Sequence, residues 1–415
     1  MRVAIFIIIG VLMATVSVSS AATMTVGKEG HATIQEALNA SRDGDTIQID
    51  RGVYAENLFV GKSVSFVGAG KGTIIQPFMW TQPTLFIMAS NVSIEGIRVV
   101  NGSIAIKSIW AENLSIKNTS IEGNSYGIWL TGSDNSIVKG NIFKENRMHV
   151  FLEDAKLTTI HQNQLKGGTT GLSMILSRFN SVTDNLIENC EAGLELRNSG
   201  DNLIQGNEFT NCRIGIFSTI SSSNSISRNR VNTTQLFLDL STASQNVISE
   251  NEFDGAGVFA KNFDSLENDF ILPRVNLAGL NFEFSLIKPS LPENYVALSD
   301  AINVTITPDI LTEAGSIYME SSLTEDEVKE LASTVDPSTI AFYRLDSGAP
   351  VRVSESFVNA HFTSNQSGLY VLAGLKGVLM PGMPLSIWLV VVIIALVMVV
   401  VVAVLLIMRQ RLGKV

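Results

Sequence analysis

A period of 22 residues governs this chain from Val92 to Asn268 and restricts what it can fold into. One column reads Ile94, Ile116, Val138, Ile160, Val182, Ile204, Ile226, Ile248, every member β-branched and apolar. Five residues further along each period come Val99, Ile121, Phe143, Leu165, Ile187, Phe209, Val231, Phe253, and a third column runs from Ile106 and Ile128 to Leu238. Between the first two lie Asn141, Asn163, Asn185, Asn207, Asn229 and Asn251 in strict step. A fixed period in the range of about 20–50 residues announces a solenoid or array.

Within each period apolar and polar residues alternate, as in Ser93-Ile94-Glu95 and Leu194-Glu195-Leu196, which is the rhythm of a half-buried strand. Each such strand is short and ends at Gly, Asn or Ser. One period cannot enclose a core by itself, but stacked copies can, with like residues one strand spacing apart, about 4.8 Å. The leucine spacing and helical segment of a leucine-rich horseshoe are missing. The expected fold is all-β: a right-handed parallel β-helix of 22-residue coils, then a small β-sandwich-like domain and one C-terminal transmembrane helix. The asparagines are expected to tolerate left-handed corners and to bond amide to amide down a ladder.

The ends of the chain set the compartment. Met1–Ala22 carries Arg2, an apolar run and then small residues, the order of a secretory signal. Leu385–Met408 is uncharged and long enough to span a bilayer, and Arg409, Arg411 and Lys414 place the 409–415 tail inside. These two segments account for part of the mean hydropathy of +0.27. The expected protein is a single-pass type I membrane protein whose ectodomain, from 23 to about 384, lies outside the cell. The net charge of −10 gives no support for nucleic-acid binding. Eight Asn-x-Ser/Thr triplets, at Asn39, Asn91, Asn101, Asn113, Asn118, Asn232, Asn303 and Asn365, are compatible with a glycosylated exterior.

Before the repeats, residues 23–91 read as a cap and first coils: Ile34, Ala37 and Leu38 stand at helical spacing, and short strands follow around Gly44, Gly52 and Gly61. A cap covers the apolar cross-section and strand edges of a solenoid's first coil. The stretch from Gly44 to Gly70 resembles the opening of pectin-lyase-like right-handed parallel β-helix proteins. Up to Asn268 the chain is similar to the NosD-type, carbohydrate-binding-and-sugar-hydrolase-like repeat family. That resemblance implies the coil fold and, by association, either polysaccharide chemistry or a part in copper-site maturation. Residues 92–270 are assigned to the coils, 271–375 to a β-rich stalk domain with a helix opened by Thr324 and Glu327, and 376–384 to a juxtamembrane linker.

Candidate chemistry is sparse. Cys190 and Cys212 are the only cysteines, one period apart, and read either as a disulfide or as two stacked thiols. An outward column holds Lys107, Trp129, Phe151, Ser173, Glu195, Phe217 and Asp239. Trp129 and Phe151 side by side would offer a stacking platform for a sugar, with Glu153 and Asp154 nearby for its hydroxyls. Glu195 and Asp239, two coils apart and flanked by Arg197, form a marginal pair for inverting hydrolysis. Gly52-Val53-Tyr54-Ala55-Glu56 resembles an opening motif of pectin methylesterases, but the later Asp and Arg segments of those enzymes have no counterpart, so Tyr54 and Glu56 read as cap structure. His31, His149, His161 and His361 form no cluster with Cys or Met; neither a metal site nor a cofactor is expected. The functional expectation is recognition or scaffolding at the cell surface, with a surface glycan or polysaccharide as partner and no legible catalytic motif. The alternatives are a polysaccharide lyase, hydrolase or epimerase working in a groove along the coils, and a copper-maturation accessory.

Overall fold

The computed structural model describes residues 21–375 apart from 233, 255–256, 273–274, 281, 288, 290, 294, 300, 307–315, 346–349, 355–359 and 365–366. Residues 1–20 and 376–415, which hold most of the expected leader and all of the expected linker, spanning run Leu385–Met408 and tail, lie outside the described residues. Among the described residues no helix is long and apolar enough to cross a membrane.

The chain winds as a right-handed parallel β-solenoid of about 11 turns. Each full coil contributes one strand to each of three sheets, as Ser115–Lys117, Ser120–Glu122 and Tyr126–Thr131 do for the first, second and third. Register advances by 22 residues per coil: Ile116 pairs with Val138, Ile121 with Phe143 and Ile128 with Val150. The β-branched and apolar columns point inward, so burial of one stripe per strand drives the stacking.

The corners explain the polar columns. Asn185 donates its amide N–H to Ile160 O and to Asn207 Oδ1, both at 2.9 Å, and its Oδ1 accepts from the Asn163 backbone N–H at 3.0 Å. Asn141, Asn163, Asn207 and Asn229 repeat this pattern, which satisfies main-chain groups that a buried turn would otherwise orphan. A second ladder of the same construction, Asn180, Asn202, Asn224, Asn246 and Asn268, fills the corner between the third and first sheets. Contrary to expectation, these asparagines are not left-handed. Positive φ falls on the residue before each, as at Gly140, Gln162, Asp184, Gly206 and Arg228, so the amides bridge a turn that their neighbours make.

Both ends of the stack are closed. Helix Ile34–Ala40 is opened by a capping box at Thr33 and buries Ile34, Ala37 and Leu38 over the first coil. Glu56, the last residue of the esterase-like motif, accepts the Ile34 and Gln35 backbone N–H groups at 2.9 and 3.0 Å. Lys62 donates to the carbonyls of Leu38, Asn39 and Ser41 at the helix's other end. A carboxylate at the N-terminus and an ammonium at the C-terminus match the helix dipole.

At the far end the first and third sheets continue. Val275–Leu280 pairs antiparallel with Asp269–Leu272, and Phe282–Ile287 with Val258–Phe263. Ser316–Ser321 and His361–Ser364 then extend the first sheet, while Ala301–Ile306, Gly368–Leu375 and Ala341–Arg344 extend the third. These strands of the 271–375 region thus belong to the same sheets as the coils. The extensions face one another through Phe362, whose ring lies 5.3 Å from Phe342 and 5.1 Å from Tyr370. Phe259, Phe270, Phe282 and Phe284 plug the open core, with centroids of neighbouring rings 5.1–6.0 Å apart. Helix Glu325–Leu331 begins at the Thr324–Glu327 capping box.

Candidate functional site

Outward residues of the third sheet form a register column that runs Phe59, Phe86, Lys107, Trp129, Phe151, Ser173, Glu195, Phe217, Asp239. Trp129 and Phe151 are neighbours there, with ring centroids 5.2 Å apart. They do not form the open platform expected of them. Phe151 is only 8% exposed, because Trp129 and Tyr126 lean over it. Tyr126, on the same strand as Trp129, packs against that indole at 5.0 Å. The Lys107 ammonium stands over the Trp129 ring, 4.3 Å from its centroid, and the Arg147 guanidinium stands over Tyr126 at 5.5 Å while donating to its hydroxyl at 3.1 Å. Glu153 organises the polar edge of the cluster. Its Oε2 accepts from Trp129 Nε1 at 3.2 Å and from Thr131 Oγ1 at 3.0 Å.

Two further tryptophans border this cluster. Trp110 follows the strand Ile104–Ile109, is 66% exposed and has a left-handed backbone, φ 53°. Its ring lies against Gly132 of the next coil, where a Cβ would collide with the indole carbons. Glycine is therefore required at 132 for the indole to lie down. Asp154 occupies the same corner one coil further on, also left-handed, at φ 51°. On the opposite side of Tyr126, Trp80 is 61% exposed and borders a groove of about 490 Å³ with Asn124, Ser125, Glu145 and Arg147. Asn57 holds the Trp80 loop, donating to Met79 O and Pro83 O and accepting from Met79 N.

A second groove of about 440 Å³ shares Glu145 with the first and includes Arg98, Glu122 and Lys144. Arg98 donates to Glu122 at 2.6 Å. Partial burial pushes the Glu122 carboxyl up, but hydrogen bonds from Ser120 and Arg98 outweigh it and hold the group below the usual carboxylate range.

The acidic pair of the sequence reading lies elsewhere. Glu195 is engaged by Arg197 Nε at 2.9 Å and by Ser173 Oγ at 3.0 Å. Asp239 stands two strands away with Phe217 between them. Burial raises the Asp239 carboxyl above its ordinary range, partly offset by Lys261 and Arg213. Glu195, Arg197 and Asp239 line neither of the two grooves.

Cys190 and Cys212 are free thiols in the buried column that also contains Asn146 and Thr234. Cys190 Sγ lies 3.3 Å from Gly167 O and Cys212 Sγ 3.7 Å from Ile187 O. Hydrogen bonding to Cys212, together with burial, pushes the Cys190 thiol up. His149 is fully buried, its Nε2 against Gly167 O at 2.6 Å and its Nδ1 against Asn146 Nδ2 at 3.1 Å. Those partners fit a neutral ring that donates from Nε2 and accepts at Nδ1. Burial lowers its pKa to about 4.

Sequence reasoning named Trp129, Phe151, Glu153 and Asp154 and missed Trp80, Trp110, Tyr126 and Arg147. The spacing held a signal for one of them: Trp110 and Gly132 share a column, and a large residue beside a glycine marks a side chain lying across the next coil.

Residues 55–246 match the family described as "Periplasmic copper-binding protein (NosD)". No curated protein matches the chain at a significant level. Solved structures that resemble it include an alginate lyase from Paenibacillus sp. str. FPU-7, at 12% identity over 57% of this chain and 96% of that one, TM-score 0.44. The mannuronan C-5 epimerase AlgE4 A-module from Azotobacter vinelandii aligns at 15% identity over 57% and 75%, TM-score 0.46. The tailspike protein 2 domain of bacteriophage CBA120 aligns at 11% over 88% and 71%, TM-score 0.47. Among the described residues no group of three or more His, Cys, Asp or Glu is placed to hold a metal ion. Both His149 nitrogens are occupied by the interior, and half-buried Met148, its neighbour on the strand, points to the opposite face. The family match lies within the coil stack, and the strand order there is that of a right-handed parallel β-solenoid.

Proposed function

We propose that this protein is a surface-displayed recognition module that binds glycan through the aromatic cluster of its third sheet, around Trp129, and performs no chemistry on it. The observation that carries this reading is the partnership of Trp129 with Glu153: an indole on the outer face whose N–H is tied to a carboxylate that also holds the Thr131 hydroxyl. Rings supply stacking area for the apolar face of a pyranose, and a fixed carboxylate beside them accepts its hydroxyls. Display at the surface is supported by the secretory order of Met1–Ala22 and by the apolar run Leu385–Met408 followed by Arg409 and Arg411. Binding without catalysis is supported by Glu195, which is paired with Arg197 and separated from Asp239 by Phe217 in the register column.

The test is a glycan array probed with the full chain and with Trp129→Ala. The expected result is a restricted set of bound glycans whose signal falls at least about tenfold in the variant, equivalent to about 1.4 kcal/mol. Binding that ignores the substitution would remove this reading.

A further inference from the structure

We infer that the ligand is an extended oligosaccharide, roughly four to five pyranose units long, lying across the third sheet along the strand Tyr126–Thr131 and at right angles to the solenoid axis. This deepens the reading just given and rests on it. Trp80, Trp110 and Trp129 gather around this one coil, and no tryptophan or tyrosine follows them in the later coils as far as Phe270.

The axial direction is closed on both sides of Trp129. Lys107, from the preceding coil, covers the indole with its ammonium 4.3 Å from the ring centroid. Phe151, from the following coil, abuts the ring at 5.2 Å and is itself buried. Beyond Phe151 the column continues with buried Ser173, which offers no ring. Stacking surface therefore cannot run from coil to coil.

Along the strand, rings and polar groups follow one another. At one end Trp80 and Ser125 border the same groove, with Glu145 and Arg147 on its rim. Next come Tyr126 and Trp129, then Thr131 with the Glu153 carboxylate, and then Gly132 under the exposed Trp110 ring, with Asp154 on the following coil. From Ser125 to Gly132 is seven residues, about 23 Å at the rise of an extended strand, the length of roughly four to five linked pyranoses. Exposed rings at the two ends, with half-buried Tyr126 and Trp129, carboxylates and cations between them, match a chain of sugars that presents apolar faces at its ends and hydroxyls in the gap. The Trp110 indole rests one face on Gly132 and leaves the other to solvent, the arrangement a stacked sugar needs.

The probes are β-1,4-linked oligomers, dimer to hexamer, of glucose, N-acetylglucosamine, mannose and mannuronate, titrated against the full chain by calorimetry. The transverse site predicts affinity for the best oligomer rising about tenfold or more between dimer and pentamer and then levelling. Trp80→Ala and Trp110→Ala should each weaken the pentamer about five- to tenfold and leave the dimer unchanged, while Phe59→Ala on the axial column changes neither. All three side chains are exposed, and unchanged circular dichroism and melting temperature establish that each variant is folded. A plateau at the dimer, or dependence on Phe59 instead of Trp80 and Trp110, overturns the transverse site while leaving glycan recognition intact. Failure of every probe to bind overturns both.

Discussion

The coils from Val92 to Asp154 and those from Ala155 to Phe263 share one interior and have different exteriors. Inside, Asn141 and Asn207 each donate to a main-chain carbonyl 25 residues earlier and to the next asparagine of the ladder, at distances of 2.8–3.0 Å. Outside, both halves carry ion pairs between adjacent coils, Arg98 with Glu122 in the first and Glu191 with Arg213 and Glu250 with Arg228 in the second, but the first half gathers Trp110, Tyr126, Trp129 and Phe151 with the two grooves. Large apolar residues do stand on second-half corners, at Leu176, Phe179 and Ile220, but no tryptophan or tyrosine accompanies them. The difference teaches that the period constrains only what faces in. Each coil is free to vary its outward residues, and the molecule has concentrated that freedom in the first half.

The largest expected effect probes the shared interior. Asn141→Leu and Asn185→Leu each strand buried groups: the Thr119 N–H and Ile116 C=O in the first case, the Asn163 N–H and Ile160 C=O in the second. Two orphaned groups at about 1–3 kcal/mol each give an expected loss of about 2–6 kcal/mol, read from denaturant unfolding. The two losses should agree within about 1 kcal/mol. A clear inequality would show that the halves differ inside as well as outside.

A smaller effect is confined to the first half. His149 has a pKa near 4 in the fold against an ordinary 6.5, because burial disfavours its charged ring. The unfolded chain therefore binds the extra proton between these values, and stability falls as pH drops from about 6.5 to about 4. The full difference is about 3 kcal/mol. His149→Gln should flatten this slope in melting temperature against pH, and a slope unchanged by the substitution would dissociate it from His149. Next in size is Gly132→Ala, expected to cost about 1–2 kcal/mol for a left-handed alanine and to displace the Trp110 ring, so that pentamer affinity falls as in Trp110→Ala.

How much of this was legible follows from the same contrast. Inward columns repeat because every coil meets the same neighbours, so Ile94 through Ile248 could be read as one core stripe. The second asparagine ladder, Asn180 to Asn268, was equally periodic and could have been found by the same count. The aromatic site was only half legible. Trp129 and Glu153 sit in aligned columns, but the burial of Phe151 depends on where Tyr126 leans, and Trp80 reaches the site from a loop that Asn57 holds. Neither lean nor loop has a period. The end of the stack was hidden for a similar reason: Val275–Leu280 and Phe282–Ile287 pair antiparallel, outside the 22-residue step, so a count of columns stops at the point where the sheets carry on.

The smallest effect tests whether the second half hides chemistry. Asp239 is partly buried, and its carboxyl is raised because burial disfavours the charge more than Lys261 and Arg213 restore it. A folded-state pKa raised above the unfolded 3.8 means that the fold favours the protonated acid. Its contribution is intact below that value and declines as pH rises toward the folded pKa, leaving a charged, partly desolvated carboxylate at neutral pH. Asp239→Asn removes that charge and keeps the shape. The expected outcome at pH 7 is a gain of less than about 1 kcal/mol, discounted for the group's remaining solvent access, and no gain at pH 3. Glycan binding should be unaffected, since Asp239 stands five coils from Trp129 along the third-sheet column. A loss of glycan binding in this variant would place function on the second half and break the division of labour between the two.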